Sequence, residues 1–155
     1  MDIDFDKLKD EVMELLRSKK VAVLATSSCD KVTARSVSYI ILNSRIYFQT
    51  DKTFLKCEQM IKNPNVALCI DNIQIEGSAK IKGHPFAEEN RAFIEEFKKV
   101  HYGSFNAYSH MENEVVVEIE PISIILWKYE EGKPLRDFLV LRDKRAYREY
   151  YDNSK

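Results

Sequence analysis

Glycine is scarce in this chain, with four in 155 residues. A dinucleotide-binding turn and a phosphate-cradling loop both need several closely spaced glycines, so neither is present. The three histidines and three cysteines are scattered, without metal-ligand or redox spacing. No Ser or Cys stands in a nucleophile motif with His and carboxylate partners. Long apolar runs are missing too. The longest, 21–25 and 122–127, fall far short of the roughly 20 residues that span a bilayer. Charge of one sign is also lacking, because 24 basic and 25 acidic residues leave a net charge of −1. That balance gives no footprint for nucleic acid or for an anionic membrane surface. The start, Met1-Asp2-Ile3-Asp4, puts no basic segment ahead of an apolar one and predicts no signal peptide. Cys29, Cys57 and Cys69 fit free thiols in a reducing cytoplasm. With 45% apolar residues the chain can bury one ordinary core, so a single cytoplasmic domain over 1–155 is expected. Any difficult chemistry must then come from a bound cofactor.

What is present is strand patterning with a few helices. Phe5, Leu8, Val12, Leu15 and Leu16 recur at helical spacing behind a capping Asp4, predicting a helix over 4–18 within an N-terminal part, 1–19. Residues 21–26 read as a strand buried on both faces, followed by a hairpin loop. Residues 32–42 form a long strand with Arg35, Val37 and Tyr39 on one face and Ser36, Ser38 and Ile40 on the other. A tight Asn43-Ser44 turn leads to the strand ending in Gln49-Thr50, then a helix over about 53–62. A further strand over 66–70 precedes the clearest alternation, 73–82, where Gly77 suggests a bulge or corner. A helix over 86–100 carries Phe86, Phe93, Phe97 and Val100. Residues 101–113 read as a loop bordering a site. The strand over 114–129 has a bulge or edge at Pro121, and the tyrosine-rich tail suggests a short helix. Six strand candidates in mostly hairpin order suit a closed antiparallel barrel over 20–130 with inserted helices, plus a tail over 131–155.

The chemistry concentrates in residues 35–64. A helix start offers unpaired amides and the positive end of a dipole, and Thr50-Asp51-Lys52-Thr53 stands where strand passes to helix. Lys56 on the first turn and Arg35 on the paired strand add two cations, for which a phosphate is the natural guest. Capping by Asp51 or Thr53 is the competing use of the same amides. Ser36 and Ser38 are small enough to admit a flat group, or else to accommodate a bulky neighbour such as Phe48.

Arg35-Ser36-Val37, Tyr47-Phe48-Gln49-Thr50, Lys56 and Asn63-Pro64 together resemble the pyridoxamine 5′-phosphate oxidase-like family of split barrels that bind flavin mononucleotide (FMN). General stress proteins and nitroimidazole-reductase-like flavin proteins fall in that group. The resemblance implies a mainly β fold with helices, a six-stranded antiparallel split β-barrel, and FMN as cofactor. It implies cofactor-binding roles for Arg35, Ser36, Val37, Ser38, Gln49, Thr50, Thr53, Lys56 and Trp127. It assigns no catalytic residue and no metal. It also implies a homodimer with the flavin at the interface, where Trp127 reaches the partner's cofactor. The chain departs from the family at Phe54 and Leu55, where Ser-Arg is usual, and at Ile40, where a Lys can follow. Pro134-Leu135-Arg136-Asp137 stands where the family's substrate-binding Arg and His fall. The expectation is an FMN-dependent oxidoreductase of some other small molecule than pyridoxamine 5′-phosphate. The alternative is a non-catalytic flavin- or haem-binding barrel for storage or sensing.

Overall fold

The computed structural model describes residues 1–151, so the last four residues of the expected tail, 152–155, lie outside the described residues. Helix α1 (Phe5–Arg17) starts on Asp4, whose carboxylate accepts the Lys7 N–H at 2.8 Å. It buries Leu8, Val12, Met13 and Leu16. Leu15, expected on that face, lies at the edge of the stripe and is exposed, while Met13 takes its place. The Tyr39 hydroxyl donates to the Leu16 carbonyl at 2.6 Å and ties the end of α1 to the sheet.

Strands β1 (Val21–Ser28), β2 (Lys31–Leu42) and β3 (Arg45–Asp51) follow as consecutive hairpins. Their two-residue turns hold Cys29 and Asp30 at φ 50° and 64°, and Asn43 and Ser44 at 50° and 62°. Turns of this kind match the right-handed twist of the flanking strands. The first hairpin is tighter than expected, because β1 runs on to Ser28. β1 is also not buried on both faces. Its inward residues Ala22, Leu24 and Thr26 are buried, whereas Val21 and Val23 are exposed.

Helix α2 (Leu55–Lys62) leads to β4 (Asn65–Ile70) and β5 (Ile73–Ile81). After one 3-10 turn come α3 (Arg91–Val100) and α4 (Tyr102–Tyr108), then β6 (Glu114–Glu130), β7 (Lys133–Val140) and β8 (Arg145–Tyr150). Two expectations are corrected here. The 101–113 loop contains a helix, and the tail is a pair of strands instead of a short helix. β7 buries Leu135, Asp137 and Leu139 in strict alternation. The charged middle member breaks the apolar signal that would have marked a strand. α3 also starts later than position 86. The Asn90 side chain donates to the Lys82 and His84 carbonyls and holds the preceding segment as a loop, leaving Phe86 exposed.

The fold is mainly β with helices, a single sheet ordered β3-β2-β1-β4-β5-β6-β7-β8 with every neighbouring pair antiparallel. Among the described residues it has eight strands where six were expected. β3 pairs in addition with β6, so β1 to β6 close into a ring of neighbours and β7 and β8 extend beyond it. Between β5 and β6 the register slips, so that Glu76 faces Ser123 and Gly77 faces Pro121. A Cβ on Gly77 would sit 2.7 Å from the Ile119 side chain and 2.9 Å from the Glu120 carbonyl, so only glycine fits this bulge. The main core includes Leu24, Tyr39, Phe48, Ile75 and Ile124. A smaller cluster of Ile40, Phe93, Phe97 and Val116 seats α3 on the outside of the sheet. No helix among the described residues is long and apolar enough to cross a membrane.

Candidate functional site

Hairpin pairing and the β3–β6 ladder bring three strand segments to one place. Ser36, Val37 and Ser38 of β2, Gln49 and Thr50 of β3, and Lys56 of α2 line a cavity of about 140 Å³. Its other walls are Phe97 of α3, Ser104 and Tyr108 of α4, and Glu114 at the start of β6. Six of the nine expected binding residues therefore meet. α4 occupies the stretch read as a loop bordering a site, and it does border it.

Lys56 is the cation of this cavity. Its ammonium donates to the Thr50 hydroxyl at 2.9 Å and lies 4.9 Å from the centre of the Phe54 ring. Burial, and then the nearby charge of Arg35, hold its pKa below the usual lysine value. The departure at position 54 thus has a structural use, since the aromatic face covers the ammonium where a polar side chain was usual.

The turn before α2 is organised differently from the expectation. The Asp51 carboxylate accepts the Thr53 N–H at 2.8 Å and the Thr53 hydroxyl at 2.6 Å. These hydrogen bonds hold Asp51 below the ordinary carboxylate range. The Thr53 amide is thereby committed inside the chain, and α2 begins at Leu55 with Phe54 as its cap.

Arg35 points away from the serines, as the two-residue period of β2 requires. Its guanidinium donates to the Leu24 carbonyl at 3.2 Å and the Thr26 hydroxyl at 2.8 Å, and also to the Thr33 hydroxyl. The two threonines in turn donate to Gln59 Oε1 at 2.6 and 2.7 Å, so Arg35 belongs to a polar network beneath α2. Trp127 is farther still. It stands 13 residues along β6 from Glu114, beyond the bulge at Pro121, and does not line the cavity. There it pairs with Arg136, whose guanidinium carbon is 5.6 Å from the indole centre.

Two polar groups in the cavity lack partners. Gln49 Oε1 accepts the Ser109 hydroxyl at 2.7 Å, which anchors the end of α4, but its buried Nε2 has no partner among the described residues. Glu114 is 7% exposed and forms no side-chain hydrogen bond or ion pair among the described residues. Burial, and then the charge of Asp51, raise its pKa, against the opposing pull of Lys56 and His84. Sequence reasoning missed Glu114, Ser104 and Tyr108. A lone carboxylate ahead of Val115-Val116-Val117 looks like any solvated strand start, and only its pairing with Asp51 across β3 and β6 draws it in. His84 closes the same side. It accepts the Phe86 N–H on Nδ1 at 3.1 Å, and its Nε2 lies 2.9 Å from the Met111 carbonyl. With Nδ1 accepting, the proton sits on Nε2, which donates to Met111.

Residues 8–128 match the family model described as pyridoxamine 5′-phosphate oxidase. No protein of curated function matches the sequence. Among solved structures, general stress protein 26 from Bacillus anthracis str. Sterne is similar with a TM-score of 0.67 and 21% identity, over 86% of this chain and 98% of that one. HutZ, the haem storage protein from Vibrio cholerae, is similar with a TM-score of 0.63 and 12% identity, over 74% of this chain and 89% of its own. A FAD-binding protein from Mesorhizobium loti gives a TM-score of 0.59 and 14% identity, again over 74% and 89%. At these identities the likeness is one of fold.

Proposed function

The chain belongs to the pyridoxamine 5′-phosphate oxidase family, and on that premise we propose that it is an FMN-binding flavoprotein, an oxidoreductase of a small molecule. The observation that carries this reading is the cavity itself. It joins the Lys56 ammonium and the Thr50 hydroxyl, suited to a phosphate, to a strand kept thin by Ser36 and Ser38, suited to a flat ring. The unpartnered Gln49 Nε2 adds a donor for a carbonyl edge. Among the described residues no histidine lines this cavity, which favours a flavin over a haem held by an axial imidazole. The six-strand ring is the split barrel of the family in this reading. When bound, FMN supplies hydride or electron transfer, and the chain supplies position and charge.

One chain encloses too little space for this ligand. A cavity of about 140 Å³ is below the ~300–1,000 Å³ of sites that bury a drug-sized molecule. Ser36 and Ser38 pair directly with Val23 and Val21, which stand exposed beside them. In this reading a second copy laid on this face covers the valines and completes the site, with Trp127 entering from that copy as the resemblance implies.

Fluorescence titration of the flavin-free protein with FMN and with riboflavin tests the reading. FMN is expected to bind at least tenfold more tightly, because riboflavin lacks the phosphate. Equal affinities would contradict a phosphate site at Lys56.

A further inference from the structure

We propose that Glu114 makes the phosphate site proton-coupled: its carboxylate faces the cavity that Lys56 serves, and a phosphate enters when Glu114 takes up a proton. The inference rests on the FMN reading and concerns the ionisation of one side chain within that site.

The geometry sets the conflict. Glu114, a residue 7% exposed whose carboxylate has no hydrogen bond or ion pair among the described residues, shares a small cavity with the Lys56 ammonium. Buried charges are ordinarily paired, so an unpaired one in a binding cavity has a task there or a strong cost. Ionised, Glu114 offsets Lys56 and repels a phosphate dianion. Protonated, it removes that repulsion and gains an O–H that a phosphate oxygen can accept. The charged and titratable groups facing it come from four directions. Asp51 stands opposite on β3, Lys56 approaches from α2, His84 from the segment after β5, and Tyr108 from α4. Asp51 is turned to Thr53, and His84 spends both ring nitrogens on the Phe86 amide and the Met111 carbonyl. Neither neutralises Glu114 by contact. Burial and Asp51 raise its pKa, which favours the proton the site would take up. A ligand anion raises that pKa further, and by linkage each proton taken up makes the affinity fall as pH rises.

The experiment measures FMN affinity between pH 7 and 8.5, where the ligand phosphate, with a second pKa of about 6, is largely a dianion. The unaltered chain and Glu114→Gln are compared, with riboflavin as the phosphate-free control. Affinity of the unaltered chain for FMN is expected to fall more steeply with pH than that of the variant, by up to tenfold per pH unit, the limit for one proton. Glu114→Gln should bind FMN more tightly at pH 8.5, and riboflavin should give parallel profiles for both proteins. A second measurement counts the protons. Binding heats in buffers of different ionisation enthalpy are expected to show net uptake at pH 7.5 in the unaltered chain and less in Glu114→Gln. Lys56, whose pKa lies below the usual value, can itself take up a proton beside a phosphate, so uptake of equal size in the variant would assign the coupling to Lys56 and overturn the role of Glu114. FMN binding with parallel profiles and no uptake overturns the role of Glu114 and leaves the flavin reading standing. Proton-coupled binding of inorganic phosphate without binding of FMN overturns the flavin reading alone. Binding of neither anion overturns both.

Discussion

Lys56 is the residue on which the phosphate assignment turns. A charge-assisted hydrogen bond of this kind contributes roughly 1.5–3 kcal/mol, so Lys56→Ala is expected to weaken FMN about tenfold or more and to spare riboflavin. Equal losses for both ligands, measured by the same titration, would contradict the assignment. Spacing made this lysine legible in the sequence, because one helical turn after a strand end is a place where backbone geometry puts side chains predictably. Ser36 and Ser38 were legible for the same reason, since a strand without a bulge alternates its faces. Thr53 and Arg35 were harder to place. Which acceptor a donor finds depends on what folds against it, and Asp51 and the Thr26–Thr33–Gln59 network claimed those donors first. Glu114 was illegible because its meaning comes wholly from burial.

At the scale of elements, β7 and β8 repeat that lesson with a larger consequence. Asp137 is fully enclosed between Arg148, at 2.7 Å, and Lys128, at 2.9 Å. Lys128 also holds Glu11 of α1 at 2.7 Å, so one buried carboxylate links the last two strands, β6 and the first helix. Burial alone would raise the pKa of Asp137, but hydrogen bonds from Arg148 and Lys128 outweigh it and hold the group below its usual value. A carboxyl depressed in the folded state contributes stability that is present above its unfolded pKa of about 3.9 and is lost as pH falls through the folded value. The stability this network contributes is therefore expected to decline as pH falls below about 4, and acid unfolding of the unaltered chain measures it. Asp137→Asn leaves two cations without their anion and should cost about 3–5 kcal/mol, read from urea or thermal unfolding. A loss below 1 kcal/mol would show that water already satisfies the cations. The β5–β6 bulge was readable in the sequence from Gly77 and Pro121. Gly77→Ala forces a Cβ against backbone as well as side chain, and about 1–3 kcal/mol of destabilisation is expected in the same assay.

The proposed dimer and the choice of substrate belong to the scale of the whole molecule. The period of two located the strands, but it could not tell a doubly buried strand from one whose outer valines await a partner. Val21 and Val23 are of the second kind in this account. Light scattering at micromolar concentration is expected to give twice the chain mass, with Val23→Lys shifting it toward the monomer. A monomer mass with flavin still bound would overturn the shared site. The substrate follows from the far end of the ring. Arg136 is paired with Glu149 at 3.1 Å and Asp137 is enclosed, so the stretch that the resemblance sets against the family's substrate-binding residues makes ion pairs within the chain. Pyridoxal 5′-phosphate formation by the flavin-loaded protein is expected to run two or more orders of magnitude below ordinary enzymatic rates of ~1–10³ per second. The most direct test of the central claim is the visible absorbance spectrum of the protein purified with added FMN and freed of excess ligand. The two-banded spectrum of oxidised flavin, bleached by dithionite and stoichiometric with the chain, is the predicted result. A colourless protein, or the single intense band of a haem, would contradict it.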